Sequence, residues 1–149
     1  MSKVRLTKEF DFEMAHALWN YDGPCKNIHG HSYKLFVTII GKPINDENNT
    51  KYGMVIDFGD LKNIVNKLIV NRFDHSVVVS DKAPYQMLQN IEQMFEKYEV
   101  LKYQPTCENL VIDFANQIKK YLPEGVKLHS LKLAETATSF AEWYASDNL

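Results

Sequence analysis

Three of the five histidines in this 149-residue chain occupy positions from which their imidazoles can meet. His29 and His31 are two residues apart at the start of a strand-like run, so their side chains point to one face. His16 ends an earlier strand-like run and joins them if the two strands pair. Three neutral imidazoles with an open fourth position form a catalytic zinc site, although imidazole also suits iron, copper and nickel. The spacing favours a metal site over ordinary core histidines, with zinc as the expected ion.

The two cysteines lie in different settings. Cys25 lies in a loop four residues before His29. It is either a small packed side chain or, near a metal or an imidazole, a thiol of lowered pKa that acts as nucleophile or base. Cys107 falls in the first turn of a predicted helix, where packing is the favoured role. Two thiols do not make the disulfide framework of a secreted protein, so we expect free thiols and a cytoplasmic chain.

Four further residues carry candidate acid–base or binding groups. Asp74 and His75 are adjacent, and a carboxylate beside an imidazole can orient it and raise its basicity, although such pairs also arise by chance in loops. Glu108 lies in the first turn of a predicted helix, where interaction with the helix dipole is an equally good explanation. Glu135 ends an apolar strand face and therefore needs a partner, either an ion pair or the paired N–H donors of a guanidine-like heterocycle.

Composition excludes several classes of protein. The chain is 45% hydrophobic and 24% charged, with a net charge of −2, which is typical of a globular protein and gives no large nucleic-acid footprint. No apolar run approaches the roughly 20 residues of a membrane span, and no signal peptide is recognisable. We expect one domain over residues 1–149, without nucleic-acid or membrane partners.

Hydrophobic periodicity supplies the elements that would position these residues. One helix is predicted after the N-cap Asp57, with an end near Asn71, and another after the N-cap Thr106. A weaker helix is predicted over 85–95. The segment 72–84 is predicted to be a loop. Strands are predicted over 4–16, 32–40, 54–56, 100–103, 126–135 and 140–145, with His129, Leu131, Leu133 and Glu135 on one face. The pattern predicts an α+β fold, an antiparallel sheet with helices on one face.

Taken together, these motifs are similar to those of the 6-pyruvoyl-tetrahydropterin synthase / 6-carboxy-tetrahydropterin synthase family. The matching pieces occur in family order along nearly the whole chain. They are Phe12-Glu13-Met14-Ala15-His16, Cys25-X3-His29-Gly30-His31-Ser32-Tyr33, Met54-Val55-Ile56-Asp57-Phe58, Asp74-His75, Pro105-Thr106-X-Glu108-Asn109-Leu110 and Glu135-Thr136.

The resemblance implies the tunnelling fold (T-fold), a four-stranded antiparallel sheet with two helices packed on one face. It implies a homohexamer of two stacked trimers, with active sites at subunit interfaces. It also implies roles for individual residues: zinc ligands (His16, His29 and His31), catalytic groups (Cys25, Asp74 and His75, the last two from a neighbouring subunit) and pterin-binding residues (Glu135, Thr106 and Glu108).

The implied substrate is 7,8-dihydroneopterin triphosphate. The short spacing between Cys25 and His29 resembles the bacterial 6-carboxy-tetrahydropterin synthases of 7-deazaguanine (queuosine precursor) biosynthesis more than the pyruvoyl-forming enzymes of biopterin synthesis. Two other classes remain open. One is a metal-free hydrolase using Cys25, His75 and Asp74. The other is a non-catalytic zinc- or pterin-binding protein, in which Cys25 would close a structural metal site.

Overall fold

Two long paired strands form the centre of the protein, for which the computed structural model describes residues 2–149. Strand β1 (Val4–His16) and strand β2 (His29–Gly41) are antiparallel along their whole length, from the pair Val4 and Gly41 to the pair His16 and His29. The even-numbered side chains at the end of β1 are buried, as the alternation predicts: Phe10, Phe12, Met14 and His16. Met1, the first residue of the expected domain, lies outside the described residues.

The sheet has six strands in the order β4-β3-β1-β2-β5-β6, so the expected number of four is wrong. Strands β5 (Val126–Ala134) and β6 (Phe140–Tyr144) continue the antiparallel part from β2. On the other side, β3 (Ser76–Ser80) and β4 (Tyr98–Leu101) are added in parallel, so the sheet is mixed and the prediction of a purely antiparallel sheet is wrong. Strand β3 lies inside the predicted loop 72–84. It is short and buried on both faces, so it shows no alternation that a period-two pattern could detect.

The helices begin at the predicted caps. Helix α1 (Phe58–Val65) follows Asp57, whose carboxylate accepts a hydrogen bond from the Gly59 N–H at 2.7 Å. It continues through a π-helical turn (Asn66–Val70) into α2 (Asn71–Phe73), slightly beyond the predicted end. The buried positions of this helical segment recur every four residues, at Leu61, Val65, Ile69 and Phe73.

Two further helices complete the fold. Helix α3 (Tyr85–Met94) has one fully buried residue, Ile91, in agreement with its weak periodicity. Helix α4 (Cys107–Ile118) begins after Thr106, whose hydroxyl accepts a hydrogen bond from the Asn109 N–H at 3.2 Å. The buried faces of α1 and α4 share one core with the buried rows of β1, β2 and β5, which gives the predicted α+β arrangement. Within residues 2–149, no helix is both long and apolar enough to cross a bilayer.

The predicted strand over 54–56 is absent from the fold described for residues 2–149. Backbone hydrogen bonds join Ile44 to Gly53 and Met54 and close the preceding loop, while Val55 and Ile56 are buried without a strand partner. These two side chains fill the core at the entry to α1. Burial without sheet pairing explains why an apolar run here does not become a strand.

A bulge in β5 changes which of its residues face the core. The pairing with β2 shifts between Thr38, which faces Ser130, and Ile39, which faces Leu128. His129 is the extra residue, so the predicted row starting at His129 is wrong at that position. The buried row is Val126, Leu128, Leu131 and Leu133. After the bulge, the alternation resumes with Leu131 and Leu133 on the core-facing side. Glu135, directly after β5, follows them on the same side.

Candidate metal and pterin site

The three predicted histidines converge at one end of the sheet. His16 and His29 are directly paired across β1 and β2, and His31 follows two residues later on the same face. Their ligand atoms lie within 4.8 Å of one another, and the Nε2 atoms of His16 and His29 are 3.0 Å apart. This group could hold a metal ion. Among residues 2–149, the donor set comprises these three imidazoles and includes neither Cys25 nor Glu135.

The backbone fixes the orientation of two of the rings. Nδ1 of His16 lies 2.7 Å from the carbonyl oxygen of Pro105, and Nδ1 of His29 lies 2.8 Å from that of Asn27. A carbonyl only accepts, so each Nδ1 carries the proton and each Nε2 of the neutral ring presents a lone pair. Two lone pairs 3.0 Å apart repel unless a cation lies between them. The three histidines therefore fit a metal ion such as zinc.

Burial keeps the imidazoles of His16 and His31 in the neutral form that binds metal. His16 is only 1% exposed, and this burial lowers the pKa of its imidazole, although the Pro105 carbonyl acts in the opposite direction. Burial also lowers the pKa of His31, while the nearby Glu135 carboxylate raises it. In both residues burial is the larger effect, so the rings stay unprotonated and available as ligands.

Glu135 lies beside the histidines at the end of β5. Its Oε1 atom is 3.4 Å from Nε2 of His16 and 3.6 Å from Nε2 of His31. The hydroxyl of Tyr33 donates to the same oxygen over 3.4 Å. Tyr33 is fully buried and stacks on Phe12, and burial raises the pKa of its hydroxyl, so it remains a donor. The carboxylate is part-exposed and available to accept N–H donors from a bound ligand.

The start of α4 borders the same region. Pro105 orients His16 through its carbonyl, and Thr106 caps the helix. Glu108 is exposed in the first turn, where its charge also favours the helix N-terminus. The contact between Pro105 and His16 brings this segment to the cluster, and the role of Thr106 and Glu108 in lining the site stays a prediction.

The second cysteine is packed. The Cys107 thiol donates to the carbonyl of Leu133 at 3.2 Å. Burial, followed by the negative charge of Glu135, raises the pKa of Cys107 to about 11. The thiol is therefore protonated near neutral pH and is a poor nucleophile. This environment favours the predicted packing role.

Cys25 lies in the loop between β1 and β2, within a short 3₁₀ turn (Pro24–Lys26). It is part-buried, and neither Cys25 nor Cys107 is in a disulfide. Its carbonyl accepts a hydrogen bond from the Leu18 N–H at 3.0 Å. This bond closes the loop at its base, on the side where β1 ends at His16.

Asp74 and His75 form the predicted pair on the turn between α2 and β3. Nδ1 of His75 lies 3.0 Å from Oδ1 of Asp74, and the same oxygen accepts the Glu13 N–H at 2.8 Å. The Glu13 hydrogen bond is the main reason why the pKa of Asp74 is lowered. His75 has a left-handed backbone, with φ of 61°, and donates its N–H to the Glu13 carbonyl at 2.5 Å. The carboxylate thus stays ionised and orients an exposed imidazole.

A surface groove lies beside this pair. The groove has a volume of about 350 Å³, and its lining includes His31 and His75, together with Glu13 and Ser32. The imidazoles of His16, His29 and His31 point to the opposite side of the sheet from Glu13 and Ser32. The groove is open along the sheet face opposite α1 and α4, because Glu13 and Ser32 alternate with core-facing residues.

The chain is similar to known proteins along nearly its whole length. The family model for 6-pyruvoyl tetrahydropterin synthase matches residues 5–146. The chain belongs to this family. It is 36% identical over 141 residues to the 6-carboxy-5,6,7,8-tetrahydropterin synthase of Haemophilus influenzae, covering 93% of this chain and 97% of that one. It is 33% identical over 143 residues to the Rickettsia typhi protein of the same name, covering 93% and 99%.

The fold is also shared with a solved member of the family. The structure of 6-pyruvoyl tetrahydropterin synthase from Caenorhabditis elegans superimposes with a TM-score of 0.68 at 23% identity, covering 97% of each chain. The similarity confirms the expected fold family, although the sheet of this chain has six strands rather than four.

Sequence reasoning missed the residues that hold the site together. These are the Pro105 carbonyl at His16, the hydroxyl of Tyr33 at Glu135, and two long-range contacts made by Gln104 and Lys97. Every residue has a backbone carbonyl, so the residue type does not reveal which carbonyl orients a ligand. A contact between residues far apart in the sequence leaves no periodic pattern that could reveal it. Tyr33 alone had a signal, because it lies two residues after His31 on the same strand face.

Proposed function

We propose that this chain is a zinc-dependent 6-carboxy-5,6,7,8-tetrahydropterin synthase. It would convert 7,8-dihydroneopterin triphosphate and water to 6-carboxy-tetrahydropterin, acetaldehyde and triphosphate, for 7-deazaguanine (queuosine precursor) biosynthesis in the cytoplasm. The observation that carries the proposal is the convergence of His16, His29 and His31 beside the carboxylate of Glu135. The names of the bacterial relatives support the carboxy-forming branch.

The three histidines would hold the zinc ion through their Nε2 atoms. When bound, zinc would supply Lewis-acid polarisation of substrate oxygen atoms. The chain itself supplies the rigid support: two of the rings are hydrogen-bonded to backbone carbonyls, and His16 is buried. The support keeps the lone pairs aligned without the reorganisation that a mobile ligand would require.

Glu135 would bind the pterin. The 2-amino group and N3 of a pterin present two parallel N–H donors, and a carboxylate accepts such a pair with both oxygens. Tyr33 donates to one of those oxygens and so helps to orient the carboxylate. Thr106 and Glu108, at the start of α4, would line the same pocket. The pterin ring would then extend from Glu135 with its side chain towards the histidines.

Protons would be moved by Cys25 and by the Asp74–His75 pair. Cys25 as thiolate would accept a proton from the substrate side chain, and His75, oriented by ionised Asp74, would exchange protons at a neighbouring position. These transfers prepare the loss of triphosphate and the cleavage of the carbon–carbon bond that releases acetaldehyde. His75 is exposed on its own chain, which supports a role in the site of a neighbouring subunit within a hexamer.

The product assay tests this proposal. Zinc-loaded protein is incubated with 7,8-dihydroneopterin triphosphate, and the pterin product and acetaldehyde are quantified together. We expect acetaldehyde and 6-carboxy-tetrahydropterin in equal amounts. A pyruvoyl product without acetaldehyde would assign the chain to the other branch of its family. No turnover by zinc-loaded protein would overturn both enzymatic assignments and favour a binding role.

A further inference from the structure

The side chain of Gln104 connects the loop that carries Cys25 to the segment that precedes α4. Its carboxamide forms two reciprocal hydrogen bonds with the backbone of Trp19. The Trp19 N–H donates to Oε1 at 3.0 Å, and Nε2 donates to the Trp19 carbonyl at 2.7 Å. A carboxamide that donates to and accepts from one residue fixes both the position and the orientation of that peptide.

On its own side, Gln104 belongs to a rigid stretch of backbone. Its carbonyl accepts the Thr106 N–H at 2.8 Å and a side-chain N–H of Asn109 at 3.1 Å. The next carbonyl, that of Pro105, accepts from His16 at 2.7 Å. The same few residues therefore orient a predicted metal ligand and, through the Gln104 side chain, the loop. Their position is set by α4, which is anchored in the core.

The two hydrogen bonds between Gln104 and Trp19, called the clamp below, are connected to Cys25 through one residue. Leu18, the neighbour of Trp19, donates its N–H to the Cys25 carbonyl at 3.0 Å. The remainder of the loop has little packing to hold it, because the large side chains of Trp19, Tyr21 and Ile28 are between 42% and 48% exposed. A loop with few buried contacts opens at low free-energy cost, so individual hydrogen bonds decide its position.

We propose that Gln104 is a positioning residue, which holds the Cys25 loop in register with the histidine cluster. This inference rests on the proposed function, because the catalytic effect requires Cys25 to act on the substrate. Gln104 itself does not need to touch the substrate. Loss of the hydrogen bonds to Trp19 would release the part of the loop from Trp19 to Cys25 and leave His16, His31, Glu135 and the α4 cap in place. Asn27, next to β2, would keep its carbonyl at the ring of His29. The expected result is a fall in kcat with little change in KM or zinc content.

The test compares Gln104→Met, which keeps the length of the side chain but neither hydrogen bond, with Gln104→Glu, which can accept from Trp19 but cannot donate. Gln89→Met, on α3, is the matched control.

We expect kcat to fall about 10- to 100-fold in Gln104→Met, as for a displaced catalytic group. Amide hydrogen exchange should accelerate in residues 17–25 and stay unchanged in α4. The kcat of Gln104→Glu should also fall, and the kcat of Gln89→Met should match that of the wild type.

The outcomes separate this inference from the proposed function. Wild-type kcat and unchanged exchange of the loop in Gln104→Met, with Cys25→Ser inactive, would overturn the inference alone. A uniform rise in exchange over the whole chain would also overturn it, because it would indicate general destabilisation. Full turnover by Cys25→Ser would overturn the proposed role of Cys25 and, with it, the catalytic part of this inference.

Discussion

His16 and His29 face each other at the end of the β1–β2 pair with their Nε2 atoms 3.0 Å apart. Each Nδ1 atom donates a hydrogen bond to a backbone carbonyl, that of Pro105 for His16 and that of Asn27 for His29. Neither ring can turn without losing its carbonyl partner. The arrangement holds two lone pairs at a distance that a shared cation makes favourable. The pairing register of the two strands thus brings the two rings together, and the carbonyls of Pro105 and Asn27, which lie outside the strands, set the orientation of each ring.

The first prediction concerns the ligands. His29→Ala should abolish stoichiometric zinc binding, since losing a ligand costs more affinity than losing the ligand's outer hydrogen-bond partner, which costs roughly 10- to 100-fold. Zinc per chain after dialysis, measured by elemental analysis, checks this. His129→Ala is the matched control, because its ring contacts Ser130 in the β5 bulge instead. Full zinc content in His29→Ala would contradict the assignment.

The second prediction concerns the two thiols. Burial raises the pKa of Cys107 to about 11, so it should resist iodoacetamide at pH 8, whereas part-exposed Cys25 should be alkylated. Peptide mass spectrometry of the native protein distinguishes the two. Cys25→Ser should leave a native protein with no fast-reacting thiol, and unfolding should restore the reactivity of Cys107. Equal rates for the two thiols in the wild type would contradict the packing role.

The raised pKa of Cys107 also predicts a dependence of stability on pH. The folded state holds this thiol protonated up to about pH 11, above the ordinary value of 9.0. As the pH rises from 9 towards 11, the unfolded chain loses this proton first, so the free energy of unfolding should fall over that range. Urea unfolding at several pH values measures the effect. Cys107→Ala should show a weaker decline over the same range.

The residues that could be predicted and those that could not differ in physical kind. His16, His29 and His31 follow from period-two spacing, and Asp57 and Thr106 from cap chemistry, because these signals are local. Strand β3 was missed because burial on both faces erased its alternation. The β5 bulge was missed because a register shift is a property of two strands, and it moved His129 out of the buried row.

The fourth prediction concerns Lys97, which supports the Asp74–His75 turn. Its ammonium donates to the Asn71 carbonyl at 2.8 Å and to the Asp74 carbonyl, at the C-terminal end of a helix. Lys97→Met should lower the free energy of unfolding by about 1 kcal/mol and lower kcat, because the left-handed turn at His75 loses a constraint. Lys102→Met, at an exposed position, is the matched control. Equal activity and stability for both variants would contradict the role of Lys97.

The last prediction concerns recognition of the pterin by Glu135. Glu135→Gln keeps the size of the side chain but removes the charge and replaces one acceptor oxygen by a donor. A charge-assisted hydrogen bond contributes about 1.5–3 kcal/mol, so kcat/KM for 7,8-dihydroneopterin triphosphate should fall about 10- to 100-fold. Zinc content should not change, since Glu135 is outside the donor set formed by His16, His29 and His31.

Glu142→Gln, on the edge strand β6, is the control. Steady-state kinetics and zinc analysis of the same preparations decide between two roles. Loss of zinc together with activity would make Glu135 a metal ligand, whereas loss of activity alone supports its role in binding the pterin.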